Sequence, residues 1–370
     1  MNAKDRISSL LEQTGIEVNG PNPWDPQVHD ERFYKRVLAQ GSMGLGESYM
    51  DGWWDCDAID EMINRILRAN LREKLGWNVP IMLEAARAHL TNKQKGRKSF
   101  KVGEQHYDAG NDLYKAMLDD RMVYTGAYFK DTDDLNQAQE NKLDLVCRKL
   151  GLKKGDKVLD IGCGWASFAK FAAEKYGANV VGVTVSKEQV ALGNKLCEGL
   201  PVEIRLQDYR DVNEKFDHVM SLGMVEHVGA KNLREYFKTA HRVLKDDGLF
   251  VLQSIGSLTS AQTNDPWLEK YIFPNSMLPS VKQFAVASEG LFVMEDWQNM
   301  GKHYEHTLLA WHKNFNEHWH EFKDQYDDRF FRMWNYYLLI CAGLFRARKG
   351  QLWQIVYSKN GVKNGYEAPR

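Results

Sequence analysis

The chain has 370 residues, 43% of them hydrophobic, which is enough for a packed core and long for one domain, so two domains are expected. Lys and Arg total 49 against 50 Asp and Glu, a net charge of -1 that excludes the global positive field of a nucleic-acid binder and leaves any anionic partner to be met locally. Five scattered cysteines without a CxxC pair argue against a disulfide framework and a zinc cage, and fit a reducing cytoplasm.

The first residues, MNAKDRISSLLEQTG, carry Lys4 and Arg6 but no continuous apolar core, and do not read as a secretory signal. Asp57-Ala58-Ile59-Asp60 opens a helix in which Ile59, Met62, Ile63, Ile66, Leu67 and Leu71 form an apolar stripe, to be packed within its own domain or laid on lipid. Thr91 to Lys101 has five basic residues and no acid, and reads as an exposed connector. The expected division is a helical N-terminal domain over 1–90, a linker over 91–101 and a larger domain over 102–370. From Asp156 short apolar runs alternate with helical segments: KVLDIG, NVVGVTV, VEIRLQD, FDHVMSLG and GLFVLQSI are strands, and 166–176, 187–198 and 232–244 are helices. That rhythm is an α/β doubly wound sheet. Beyond Pro266 the chain reads as aromatic-rich and helical, over 304–322 and 329–345; its longest apolar run, Tyr336 to Phe345, stops at Arg346 and is too short to span a bilayer.

Val158-Leu159-Asp160-Ile161-Gly162-Cys163-Gly164 runs from a strand into a glycine turn and a helix, a place where backbone approaches a ligand closely. Ser167 breaks the G-x-G-x-x-G pattern of dinucleotide sites, and Asp160 is able to hold an ammonium group or orient the loop; phosphate binding remains the alternative. The arrangement resembles the first motif of class I methyltransferases. That resemblance implies S-adenosylmethionine here, with Thr184 and Gln189 facing its ribose and methionine parts and Asp208 and Tyr209 framing the adenine.

From about Phe33 to Gly361 the chain resembles the cyclopropane-fatty-acyl-phospholipid synthases and the related mycolic acid cyclopropane synthases. The resemblance rests on Gly44-Leu45-Gly46-Glu47-Ser48-Tyr49, Asp51-Gly52-Trp53-Trp54, His106-Tyr107-Asp108-Ala109-Gly110-Asn111, Gly223-Met224-Val225-Glu226-His227-Val228-Gly229, Tyr271-Ile272-Phe273-Pro274-Asn275 and Cys341-Ala342-Gly343. It implies a class I methyltransferase sheet with a smaller helical domain, and an enzyme that delivers a methylene unit from S-adenosylmethionine to a cis double bond of an unsaturated phospholipid. The alternative is a related olefin C-methyl or methylene transferase. An alkene is a weak nucleophile, so it must be aligned in a dry, aromatic channel. Transfer leaves a carbocation that aromatic faces stabilise, and ring closure needs a base.

By the same resemblance that base is bicarbonate, held by backbone N–H groups of Gly126 and Ile255 and side chains of Glu226, Gln253 and Tyr304. Tyr124, Thr125, Gly162, Gly164, Thr184 and Gln189 contact the cofactor. Gly126 and Gln253 depart from the commoner cysteine and histidine, and Gln253 is unable to relay a proton, which leaves bicarbonate itself as the base. A homodimer is implied, in the cytoplasm and peripherally bound to the inner face of the cell membrane through the helical domain and Lys93, Lys95, Arg97, Lys98 and Lys101. His303, His306, His318 and His320 lack metal-ligand spacing, so no metal is expected. Cys341 reads as core rather than nucleophile.

Overall fold

The computed structural model describes residues 2–70 and 111–370. Two compact units interleave along the chain. The described residues up to 70 cluster with Thr263–Pro274 and Tyr304–Gly350, while 111–262, Asn275–His303 and Gln351–Arg370 form the other unit. A single division near residue 90 therefore describes only the first of three segments in the helical unit. The stretch 91–101, Leu71 of the apolar stripe and the motif His106 to Gly110 lie outside the described residues.

In the helical unit, β1 (Gln27–Val28) pairs antiparallel with β2 (Trp54–Asp55). The apolar stripe seen in the sequence belongs to helix Ile59–Arg68, which packs on helix Asp328–Arg346. Ile59 and Met62 are buried, and Gly343 lets the two backbones meet: a Cβ there would sit 2.4 Å from the Asp60 carbonyl oxygen. Arg346 closes the contact with ion pairs to Asp60 (2.6 Å) and Glu305 (2.7 Å). Of the Trp53-Trp54 pair, Trp54 is core, fully buried with its indole N–H donating to Ser48 Oγ at 3.0 Å. Among the described residues no helix is long and apolar enough to cross a membrane.

The second unit is a seven-stranded mixed sheet in the order β5-β4-β3-β6-β7-β9-β8. Its strands are β3 (Lys157–Ile161), β4 (Asn179–Thr184), β5 (Val202–Leu206), β6 (Phe216–Leu222), β7 (Leu244–Ser257), β8 (Val293–Asn299) and β9 (Gly350–Ser358). β3 to β7 pair in parallel, and β8 with β9 antiparallel. This is the class I methyltransferase fold. The five parallel strands are the five read from the sequence. β8 and β9 were not: beyond Pro266 the sequence reads as helical, yet QLWQIVYS is a strand buried along its whole length. Its glutamines interrupt the apolar run that marks a buried strand, and helices such as Gly301–Phe322 dominate around it.

Strand alternation sorts the core into two faces. Leu159, Ile161, Val181, Val219, Phe250 and Leu252 face helix Leu233–Val243, while Val158, Val180, Met220, Val251 and Val356 face helices Leu135–Leu150 and Ser167–Tyr176. Asp160 falls on the second face, and so do Gln253 and Gln354. The sheet order reverses direction between β3 and β6, and in such sheets the crevice at the carboxyl ends of those strands is where ligands bind.

Candidate active site

A cavity of about 210 Å³ opens at that point in the second unit, lined by residues from Met122–Thr125, the turn after β3 and the ends of β4, β5 and β6. All nine residues expected at a cofactor line it: Tyr124, Thr125, Asp160, Gly162, Gly164, Thr184, Gln189, Asp208 and Tyr209. Gly162 has φ +81°, and a Cβ there would lie 2.5 Å from the Met224 side chain, so the turn needs glycine for conformation and for space. Helix Ser167–Tyr176 starts directly behind it.

Asp160 is buried on the helix side of the sheet, and burial lifts its carboxyl to about 7 against the opposing influence of Lys142. At the end of β4, Thr184 Oγ1 donates to Gln189 Oε1 at 2.6 Å. The Gln189 amide nitrogen is buried without a hydrogen-bond partner among the described residues, although it belongs to a cavity-lining side chain. A buried donor of this kind calls for an acceptor from a ligand. Asp208 accepts from Arg210 Nε at 2.8 Å and so sits in place as a fixed carboxylate after β5. Rings pack beside the cavity: Tyr114 lies edge-on to Tyr124 at 5.2 Å and tilted against Trp165 at 5.0 Å. These features suit a ligand with hydroxyl and amino groups, a flat ring and a positive centre.

The second expected group is divided. Gly126, Glu226, Gln253 and Ile255 come together in the sheet unit, whereas Tyr304 belongs to the helical unit, its ring 4.8 Å from Phe345 and 6.0 Å from Trp311. Glu226, in the short turn Val225–His227 after β6, is buried, and burial pushes its carboxyl up to about 7 although the Ile255 N–H donates to it. That N–H reaches Glu226 Oε1 at 2.6 Å, so in this structure Ile255 holds Glu226 instead of presenting an open donor. Glu226 Oε2 is buried with no hydrogen-bond partner among the described residues. Gln253 donates to the Gly126 carbonyl at 3.3 Å and accepts from Gln354 Nε2 at 2.8 Å. Its amide therefore braces backbone rather than facing open space.

Three residues the sequence reading passed over are built into this region. Gln139 donates to the carbonyls of Thr125 (2.9 Å) and Val123 (3.2 Å), and Lys142 donates to Thr125 Oγ1 at 2.7 Å. Gln354 orients Gln253. Each is fully buried. Gln139 and Lys142 sit among Leu143, Val146 and Leu150 on the inward stripe of one helix, and polar residues at such positions are the signal that marks them. His318 meets Glu321 at 2.6 Å and His320 the Glu317 carbonyl at 3.0 Å, and no group able to hold a metal occurs among the described residues. Cys341 is buried in its helix.

Comparison with known proteins identifies the family. The family model described as mycolic acid cyclopropane synthetase matches residues 94–355. The chain is 51% identical over 98% of its length, and 95% of the relative's, to the cyclopropane-fatty-acyl-phospholipid synthase of Escherichia coli strain K12. It is 38% identical to the sphingolipid C9-methyltransferase 2 of Gibberella zeae, over 69% of this chain and 52% of that one. Among solved structures, the cyclopropane synthase MmaA2 from Mycobacterium tuberculosis superposes with TM-score 0.67 at 29% identity, covering 72% of this chain and all of that one. The mycolic acid cyclopropane synthase CmaA1 complexed with SAH and CTAB gives the same TM-score, identity and coverage. The chain belongs to the mycolic acid cyclopropane synthetase family and is an enzyme built on the class I methyltransferase fold.

Proposed function

We propose that the cavity takes S-adenosylmethionine and that the enzyme adds a one-carbon unit to the cis double bond of an unsaturated phospholipid acyl chain, closing a cyclopropane ring. The observation that carries this reading is the 51% identity to the Escherichia coli synthase, because it runs through 98% of this chain rather than the cofactor half alone. S-adenosylmethionine supplies an electrophilic methyl group and an adenosine that anchors it. On the protein side, Gly162 and Gly164 leave room for backbone approach, the Gln189 amide offers its unused donor, Thr184 fixes that amide, Asp160 orients the glycine turn, and Asp208, held by Arg210, frames the adenine. Tyr124 and Trp165 bring aromatic faces to the cavity, and such faces favour cationic charge without offering a nucleophile.

The ring-closing proton is assigned to a bicarbonate beside Glu226, which supplies a small base. The partnerless Glu226 Oε2 supports this, since an ionised carboxylate only accepts and bicarbonate has one O–H to donate. Gly126 contributes its N–H to that bicarbonate. Ile255 and Gln253 act one step back, the first steadying Glu226 and the second the Gly126 carbonyl. The enzyme works as a cytoplasmic homodimer on the inner face of the membrane. Its helical unit and the basic stretch 91–101 dock on anionic bilayers, each charge near the surface contributing about 1 kcal/mol.

Incubating the purified chain with S-adenosylmethionine, bicarbonate and liposomes of monounsaturated phospholipid, then analysing the acyl chains by mass spectrometry and proton NMR, tests the reading. Gain of one CH2 with upfield ring protons and loss of olefinic protons is expected. The Gibberella zeae relative motivates a second reading, C-methylation without ring closure, for which methyl or methylene signals would appear instead. No product despite cofactor binding and liposome sedimentation would overturn both.

A further inference from the structure

A polar layer lies buried between the sheet and helix Leu135–Leu150. Asp160 enters it from β3; Gln139 and Lys142, three residues apart and hence on one side of the helix, enter it from above, both 0% exposed. Both grip the segment 123–125. Gln139 holds two of its carbonyls, and Lys142 Nζ donates to Thr125 Oγ1 at 2.7 Å. Thr125 also lines the cavity.

The direction of that last bond decides what Thr125 offers. An ammonium has donors only, so the Thr125 oxygen must accept from it, and the hydroxyl's single proton is left to point elsewhere. We infer that Lys142 is a positioning residue: its ammonium occupies the Thr125 oxygen from behind and so commits the Thr125 proton to the molecule bound in the cavity. This rests on the reading of the cavity as the S-adenosylmethionine site. A neutral amine has a lone pair and reverses the arrangement, because it accepts the Thr125 proton and withdraws it from the cavity. The charged groups facing Lys142 are Asp119, from the turn after helix Asn111–Met117, and Asp160, from β3. Burial pulls the amine well below the ordinary lysine range and the two carboxyl groups pull it back, so the change falls where binding is measurable.

The test is calorimetric titration of the full chain with S-adenosylhomocysteine between pH 6 and 9, for the wild type, Lys142→Met, Thr125→Val, the double variant and Gln189→Leu. Expected is a wild-type affinity that drops about tenfold, the value of one hydrogen bond, as pH rises through the Lys142 titration. Thr125→Val should lose about tenfold at pH 6.5 and keep only the pH step that Asp160, which also lines the cavity, contributes, and the double variant should bind no more weakly than Thr125→Val. Losses that multiply in the double variant, or a pH step as large in Thr125→Val as in the wild type, would overturn the inference. Should Lys142→Met fail to fold, the wild-type and Thr125→Val profiles decide by themselves. If Thr125→Val binds like the wild type while Gln189→Leu binds weakly, the inference falls and the cofactor reading stands. Absence of binding by the wild type removes both.

Discussion

Glu226 is the residue whose environment makes the sharpest numerical prediction. Burial raises its carboxyl from 4.5 to about 7, outweighing the hydrogen bond from the Ile255 N–H. In the unfolded chain the same group ionises near its ordinary value, so the folded protein keeps a proton that the unfolded chain releases between those two pH values. A raised acid contributes stability that is fully present below 4.5 and is lost as pH rises through about 7. At about 1.4 kcal/mol for each tenfold change in proton affinity, the loss is about 3 kcal/mol. Glu226→Gln keeps the shape of the protonated acid and an oxygen for Ile255, and has no proton to release. In carbonate-free buffer the variant should therefore gain on the wild type by about 3 kcal/mol between pH 4 and pH 8, with most of the gain above pH 5. Urea unfolding at pH 5 and 8, read as the difference between the two proteins at each pH, measures this directly. A difference that stays constant would mean that Glu226 ionises normally in the folded state, and the argument for a carboxyl short of donors would collapse.

Three more perturbations are specific. Gly162→Ala forces a side chain onto backbone at φ +81° and against Met224, so S-adenosylhomocysteine affinity should fall by about tenfold or more while the far-ultraviolet circular dichroism spectrum is retained. Gly46→Ala gains helix propensity but places its Cβ 2.5 Å from the Trp267 ring and 2.8 Å from Tyr336, both rigid, so a net loss of about 1–2 kcal/mol should appear as a lower midpoint in thermal melts. Glu47 is raised by burial, yet hydrogen bonds from Lys270 (2.6 Å), Tyr271 (2.8 Å) and Arg36 hold it down at about 2. A depressed acid adds stability that is present above 4.5 and disappears as pH falls through about 2, so Glu47→Gln should melt lower than the wild type at pH 6 and converge with it in acid.

What the sequence made legible was whatever announces itself by periodicity or by a turn. The five parallel strands follow from apolar runs, and the cofactor-side residues follow because a doubly wound sheet gathers the ends of β3, β4 and β5 at one crevice. The supporting layer was less legible. Gln139 and Lys142 matter through the atoms they meet across the core, and local sequence gives only the hint of polar side chains on an apolar stripe. β9 went unread because Gln351 and Gln354 look solvent-facing until their partners, Asn299 and Gln253, are known. The interleaving of units had no local signal: it arises because the stripe of helix Ile59–Arg68 finds its partner in helix Asp328–Arg346.

That last pairing has a consequence for how the protein is made. The stripe of helix Ile59–Arg68 leaves the ribosome long before helix Asp328–Arg346 exists, and at 5–20 residues per second the interval is on the order of tens of seconds. Through it, an amphipathic segment waits with its apolar side unmatched, open to a chaperone, to a membrane surface or to another chain. Closing so long a loop costs little more than closing one half its length. The wait therefore burdens synthesis far more than equilibrium stability, and a circularly permuted gene that starts near the last helix would shorten it.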